Sequence, residues 1–146
     1  MKIAAIALAA AFWAVACAAR LPGPPEIVLD RSACSHCGML ISERIYAAAL
    51  RAPDGREQVF DDIGCLLAEV HKQSLANAQF WFHDGKSGEW IDGPSAVFVS
   101  SPSFRTPMAG GFLAFATRAT ADLAAEPIHA AVIPSLTTLL TKGGAQ

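Results

Sequence analysis

Six consecutive residues, Cys34-Ser35-His36-Cys37-Gly38-Met39, place two thiols, an imidazole and a thioether on one short stretch of backbone. All four are ligands for soft or borderline metals, and thiol with thioether together favour Cu(I). A structural zinc site draws on Cys and His and gains little from Met. Gly38 supplies the turn freedom that lets Cys37 and Met39 face one ion. The Cys-X-X-Cys spacing alone is not specific, because redox pairs, zinc sites and haem attachment all use it. Haem is disfavoured, since Gly38 stands where His would be required. A redox pair would open a helix after a strand, and Gly38-Met39 gives that little support. Zinc remains open, with Cys34, Cys37, Cys65 and one His as four ligands. His36 reads equally well as a solvated loop histidine.

Further along the chain, Met108 lies in Arg105-Thr106-Pro107-Met108-Ala109-Gly110-Gly111, a loop and not an apolar stripe. A methionine that only fills a core would sit inside a periodic segment, so Met108 is a second candidate ligand. Cys65 falls in the first turn of an expected helix, where the helix dipole should lower its thiol pKa. It is a candidate ligand or transfer residue, and equally a small residue packed against another element. His71, His83 and His129 have weaker claims: His71 and His83 read as solvated or strand-end residues, and His129 has no neighbouring ligand. Asp61-Asp62 reads as helix capping. No nucleophile elbow or phosphate-binding loop is present, and the aromatic residues read as core, not as a base-stacking surface. The reading is therefore of a metal-handling protein and not an enzyme.

The elements that must position these residues follow from pattern. Ile45 to Arg51 reads as a strand, Ala52-Pro53-Asp54-Gly55 as a turn, and Arg56 to Phe60 as the partner strand. Asp61 or Asp62 caps a helix to about Gln73, whose stripe is Ile63, Leu66, Leu67 and Val70. At 100° per residue Cys65 lies opposite that stripe. Gln79 to His83 is a third strand. Trp90-Ile91, Ala96 to Val99 and Phe112 to Thr117 are further extended pieces. Ala119 to Glu126 is a short helix ended by Pro127. The fold class expected is α+β, mostly antiparallel: one strand-strand-helix-strand unit in 45–83 and a less regular copy in 90–126. Residues 130–146 form a tail, ordered in part at best.

Composition bounds the setting. The 146 residues fit one domain or one domain of two small lobes. Net charge is −2 without a basic run, so nucleic acid is not an expected partner. Residues 1–16 read as a signal peptide: Lys2, then the 14 residues from Ile3 to Ala16, almost all apolar. That run is short for a membrane span. Ala14-Val15-Ala16-Cys17 resembles a bacterial lipobox, with Ala14 where Leu is usual, so Cys17 is the expected lipidation site. Residues 17–25 are then a lipidated N-terminus and a Pro-rich tether, and 26–129 the domain. Ala18 after Cys17 favours the outer membrane of a periplasmic, lipid-anchored protein. With Cys17 acylated, three thiols remain, an odd number that does not close as disulfides. In an oxidising compartment Cys34 and Cys37 would have to be kept reduced for metal to load.

Three stretches together resemble the NosL family, the accessory copper lipoproteins of nitrous oxide reductase. They are Cys34-Ser35-His36-Cys37-Gly38-Met39, Phe60-Asp61-Asp62-Ile63-Gly64-Cys65, and Thr106-Pro107-Met108 with its glycines and Ala114-Phe115. The resemblance implies a fold of two ββαβ lobes. It also implies a Cu(I) chaperone that delivers copper for the copper–sulfide centre of apo nitrous oxide reductase or for another acceptor. It raises Cys37 and Met108 above Met39, Cys34, Cys65 and His36. Two positions depart from the family pattern: Ser35 stands where His often follows the first Cys, and Leu66 follows Cys65 where Met is common. The alternatives from the residues themselves stay beside this reading: a thiol–disulfide oxidoreductase using Cys34 and Cys37, or a structural zinc-binding interaction module.

Overall fold

The structure is a computed structural model and describes residues 23–75 and 77–142. The expected signal peptide, Cys17 and the tether as far as residue 22 lie outside the described residues. No helix among the described residues is long and apolar enough to cross a membrane.

Two ββαβ units build the fold. In the first, β1 (Ala48–Arg51) turns back into β2 (Glu57–Phe60), α1 (Ile63–Gln73) follows, and β3 (Gln79–His83) returns beside β1. The turn is closed by Ala52 N–H on Arg56 O at 2.9 Å, with Gly55 at φ +87°. β1 pairs with both neighbours in the same register, Ala48 opposite Phe60 on β2 and Phe82 on β3. β4 (Trp90–Asp92) extends this sheet, giving the order β2-β1-β3-β4. The second unit repeats the plan with β5 (Val97–Ser100), β6 (Phe112–Phe115), α2 (Arg118–Ala125) and β7 (Ala131–Ile133). Its order is β6-β5-β7, again with the first strand in the middle.

The second unit therefore begins and ends later than the pattern suggested. Its closing strand comes from the stretch read as a tail, and α3 (Leu136–Lys142) follows it. Leu139 of α3 is fully buried, with Leu136 and Leu140 packed beside it on the main core.

Strand alternation makes the second sheet two-sided. Phe98, Phe112 and Ala114 point into a core shared with Leu50, Phe60, Leu66 and Phe82 of the first unit. Val99, Leu113 and Phe115 point the other way, onto Ala121 and Ala125 of α2. The two units meet where Phe82 and Phe98 stack edge to face, 4.8 Å between centroids. A backbone bond from Gly85 N–H to Ala114 O (2.8 Å) stitches the sheets together. His83, read as a surface residue at a strand end, is instead buried beside this seam. It stacks on Trp90 at 3.7 Å and its Nδ1 lies 3.2 Å from Ala47 O.

A thiol and carboxylate centre at the start of the first helix

The thiol-bearing segment is a tight hairpin laid along the outer edge of β2. Ala33 and Leu40 pair antiparallel, Cys34 N–H donates to Met39 O (2.8 Å), and Gly38 N–H donates to Cys34 O (2.9 Å). Gly38 sits at φ +78°, a conformation that disfavours any side chain, so the glycine makes the turn. Ser35 fastens the hairpin: its N–H donates to Val59 O (2.8 Å) and its Oγ accepts from Val59 N–H (3.2 Å). These bonds use the backbone groups that β2, an edge strand, would otherwise leave unpaired. Ser35 thus acts as the anchor of the hairpin.

β2 ends at Phe60, and the next two residues divide the work between them. Asp62 is the N-cap of α1 and accepts from Gly64 N–H at 2.6 Å. Asp61 is also buried, and it faces the thiols: Cys37 Sγ lies 3.7 and 3.6 Å from its two oxygens. The sulfurs of Cys34, Cys37 and Cys65 and a carboxylate oxygen of Asp61 all fall within 4.8 Å of one another. Cys34 and Cys65 are each 3% exposed, whereas Cys37 is only half-buried. Among the described residues all three cysteines are free thiols.

Burial pushes the Cys34 thiol up from its ordinary range. Cys65 is pushed up further, first by burial and then by the neighbouring Cys34 and Asp61. This reverses the lowering expected from the helix dipole. Desolvation outweighs the dipole because the hairpin covers the side of α1 opposite its apolar stripe. Glu69, one turn beyond Cys65 on that same side, completes the cover. Its carboxylate takes His36 Nδ1 at 2.9 Å and also accepts from Gln73 Nε2. The bond to His36 and then the one to Gln73 hold the Glu69 carboxyl below the usual carboxylate range. With Nδ1 engaged, His36 has only Nε2 to offer a metal.

Of the residues proposed from sequence, Cys34, Cys37 and Cys65 come together. His36 lies on the same hairpin but is directed to Glu69. Met39 and Met108 are at the surface, 48% and 45% exposed. The Met108 loop is nonetheless fixed beside the centre, because Asp62 Oδ2 accepts from Met108 N–H (3.0 Å), Gly110 N–H (3.3 Å) and Thr106 Oγ1 (2.5 Å). Asp61 was read only as a helix cap, and Glu69 was not singled out. The signal for Asp61 was available in the doublet itself: one carboxylate caps a helix, and the second needs another reason to be there. Chemically, the two sealed thiols, Cys34 and Cys65, resist ionisation on their own, and a bound cation is what would let them carry charge.

Fold and centre together define an α+β chain of two ββαβ units with a thiol–carboxylate cluster at the first helix. In structure it is similar to the copper chaperone NosL from Shewanella denitrificans, with a TM-score of 0.65 at 17% identity, covering 77% of this chain and 94% of that one. At that identity the likeness establishes the fold. No family model and no curated protein matches the chain.

Proposed function

We propose that this protein is a Cu(I) metallochaperone, held at a membrane through a lipid on Cys17 in the periplasm. Copper is its cargo, delivered for assembly of the copper–sulfide centre of nitrous oxide reductase. The observation that carries the reading is the gathering of Cys34, Cys37 and Cys65 at one point with only Cys37 reaching the surface. Thiolates are the donors that select Cu(I). The likeness in fold to a copper chaperone supports the same reading.

Cys37 and Met108 are the foremost ligands, with Met39, Cys34 and Cys65 behind them and His36 available through Nε2. A half-buried thiolate and a surface thioether leave one side of the ion open to an incoming ligand. Transfer then proceeds by ligand exchange, the acceptor bonding to the ion before this protein lets go. The process turns over no substrate chemically.

One observation favours a second reading. Cys34, Cys37, Cys65 and Asp61 make four donors, the number a closed zinc site wants. The oxidoreductase reading has less support: Cys34 is buried and the pair sits in a hairpin, not at a helix start.

The test is an anaerobic titration of the reduced full-length protein, in detergent, with Cu(I) against a competing chelator and with Zn(II) in parallel. Tight 1:1 Cu(I) binding, lost in Cys37→Ser and weakened in Met108→Ala, is the expected result. Preference for Zn(II) with unfolding on chelation would replace the chaperone by a structural zinc module.

A further inference from the structure

We infer that Asp62 is the positioning residue for the thioether side of the centre: a buried carboxylate that binds no metal but holds the Met108 loop against α1. The inference rests on the reading of Met108 as a copper ligand.

Asp62 is fully buried, and its two oxygens serve two different segments. Oδ1 caps α1 through Gly64 N–H. Oδ2 gathers Thr106 Oγ1, Met108 N–H and Gly110 N–H from more than 40 residues away. Thr106 Oγ1 in turn accepts from Gly111 N–H at 3.1 Å, which carries the restraint to the loop's far end. Among the described residues, every hydrogen bond from residues 106–110 to α1 or its cap ends on Asp62. Backbone packing adds a second, independent restraint. A Cβ on Gly64 would lie 2.9 Å from Gly110 Cα, so the loop and the first turn of α1 touch where neither has a side chain.

A carboxylate is the group this junction requires. All four partners are donors, and an ionised Asp accepts on both oxygens. Asn offers one acceptor oxygen and one donor nitrogen, so either orientation points an N–H₂ at a backbone N–H. One orientation opposes Gly64, and the other opposes Met108 and Gly110. Turned with its nitrogen toward Gly64, the amide loses only the cap and keeps the loop, so the clasp is released only when both acceptors go, as in Asp62→Ala. Since Asp61, next in the chain, faces Cys37, the clasp fixes where Met108 stands relative to the thiols.

The experiment compares Asp62→Ala, Met108→Ala and the double variant of the full-length reduced protein, with Cu(I) and Zn(II) affinities measured by chelator competition. Asp62→Ala is expected to weaken Cu(I) binding roughly 10–100-fold, the range for a residue that orients a ligand. That loss should vanish when Met108 is already Ala, and Zn(II) binding to the thiols should hold within about twofold, since the two sites of change then share one partner. A fold defect would instead lower both metals together, and that result overturns the inference. So does wild-type Cu(I) affinity in Asp62→Ala, or a loss that adds in full to Met108→Ala. If Met108→Ala itself binds Cu(I) like the wild type, the ligand assignment fails, and the inference with it. Should Asp62→Ala not fold, Gly64→Ala keeps the carboxylate but sets a Cβ 2.9 Å from Gly110 Cα and 3.0 Å from Asp62 Oδ1, which forces the clasp apart. It should give the same Cu(I)-selective loss, and wild-type Cu(I) affinity there would overturn the inference.

Discussion

Three thiols of one chain occupy one pocket yet differ in access, and that difference orders their chemistry. Cys37 is half-buried, while Cys34 and Cys65 are sealed and their thiols are pushed up by burial. The thiolate is the reactive form, so both burial and the raised pKa slow the inner pair. With a maleimide on the folded, metal-free protein, the first adduct among these three cysteines should map to Cys37. Cys34 and Cys65 should react at least about tenfold more slowly, as buried thiols do. Peptide mapping by mass spectrometry reads this directly, and comparable labelling of Cys65 would show that the hairpin does not cover it. The cysteines were legible because metal-binding types stand out in a sequence. Asp61 and Glu69 were not, because a carboxylate looks the same whether it caps, solvates or faces a thiol. Only the hairpin folding over α1 tells these apart, and hairpin docking is a long-range event that periodicity does not encode.

At the scale of elements, the first ββαβ unit was readable and the second only partly. The first has a Pro-Asp-Gly turn and an 11-residue helix with a clear stripe, each a strong local signal. In the second, the residues between β5 and β6 form a long loop without a hairpin turn. Its α2 (Arg118–Ala125) lies within one residue of the helix expected at Ala119 to Glu126, whereas β7, only 3 residues, is too short for a period to show. The structural consequence is that residues past 129 are part of the core. Leu139 is 0% exposed and packs with Leu136 and Leu140 against residues of both units. Leu139→Ala should therefore destabilise the protein by about 2–5 kcal/mol, as for other buried leucines. Urea unfolding measures it, and a change below about 0.5 kcal/mol, the size of a surface substitution, would mean that α3 is not docked.

Across the whole molecule the two sheets are joined by a shared core and a narrow polar seam, and the seam contains the one buried histidine among the described residues. His83 donates through Nδ1 to Ala47 O and lies against Trp90, while its neighbours Asp84 and Gly85 meet Ala114 of the second sheet. Burial holds its pKa below the ordinary histidine value, and Arg44 adds to this; the bond to Ala47 and the charge of Glu89 oppose it. The sign follows from linkage. Below about pH 6.5 the unfolded chain takes up a proton that folded His83 refuses, so the neutral-pH stability is kept above that value and lost as pH falls. The slope from this group is up to about 1.4 kcal/mol per pH unit until the folded value is reached. Glu69, also held down, contributes its loss only below its ordinary value of about 4.5, and a variant without an imidazole at 83 separates His83 from the other histidines. Urea unfolding at several pH values across the interval from about 6.5 to about 5 should show stability falling toward acid. His83→Gln, which keeps a side-chain N–H but cannot titrate, should be less stable at neutral pH and flatter across the interval. An equal slope in both proteins would place the acid sensitivity elsewhere. A flatter slope would show that the seam between the sheets, remote in the chain from Cys37, sets how well the pocket's scaffold survives mild acid.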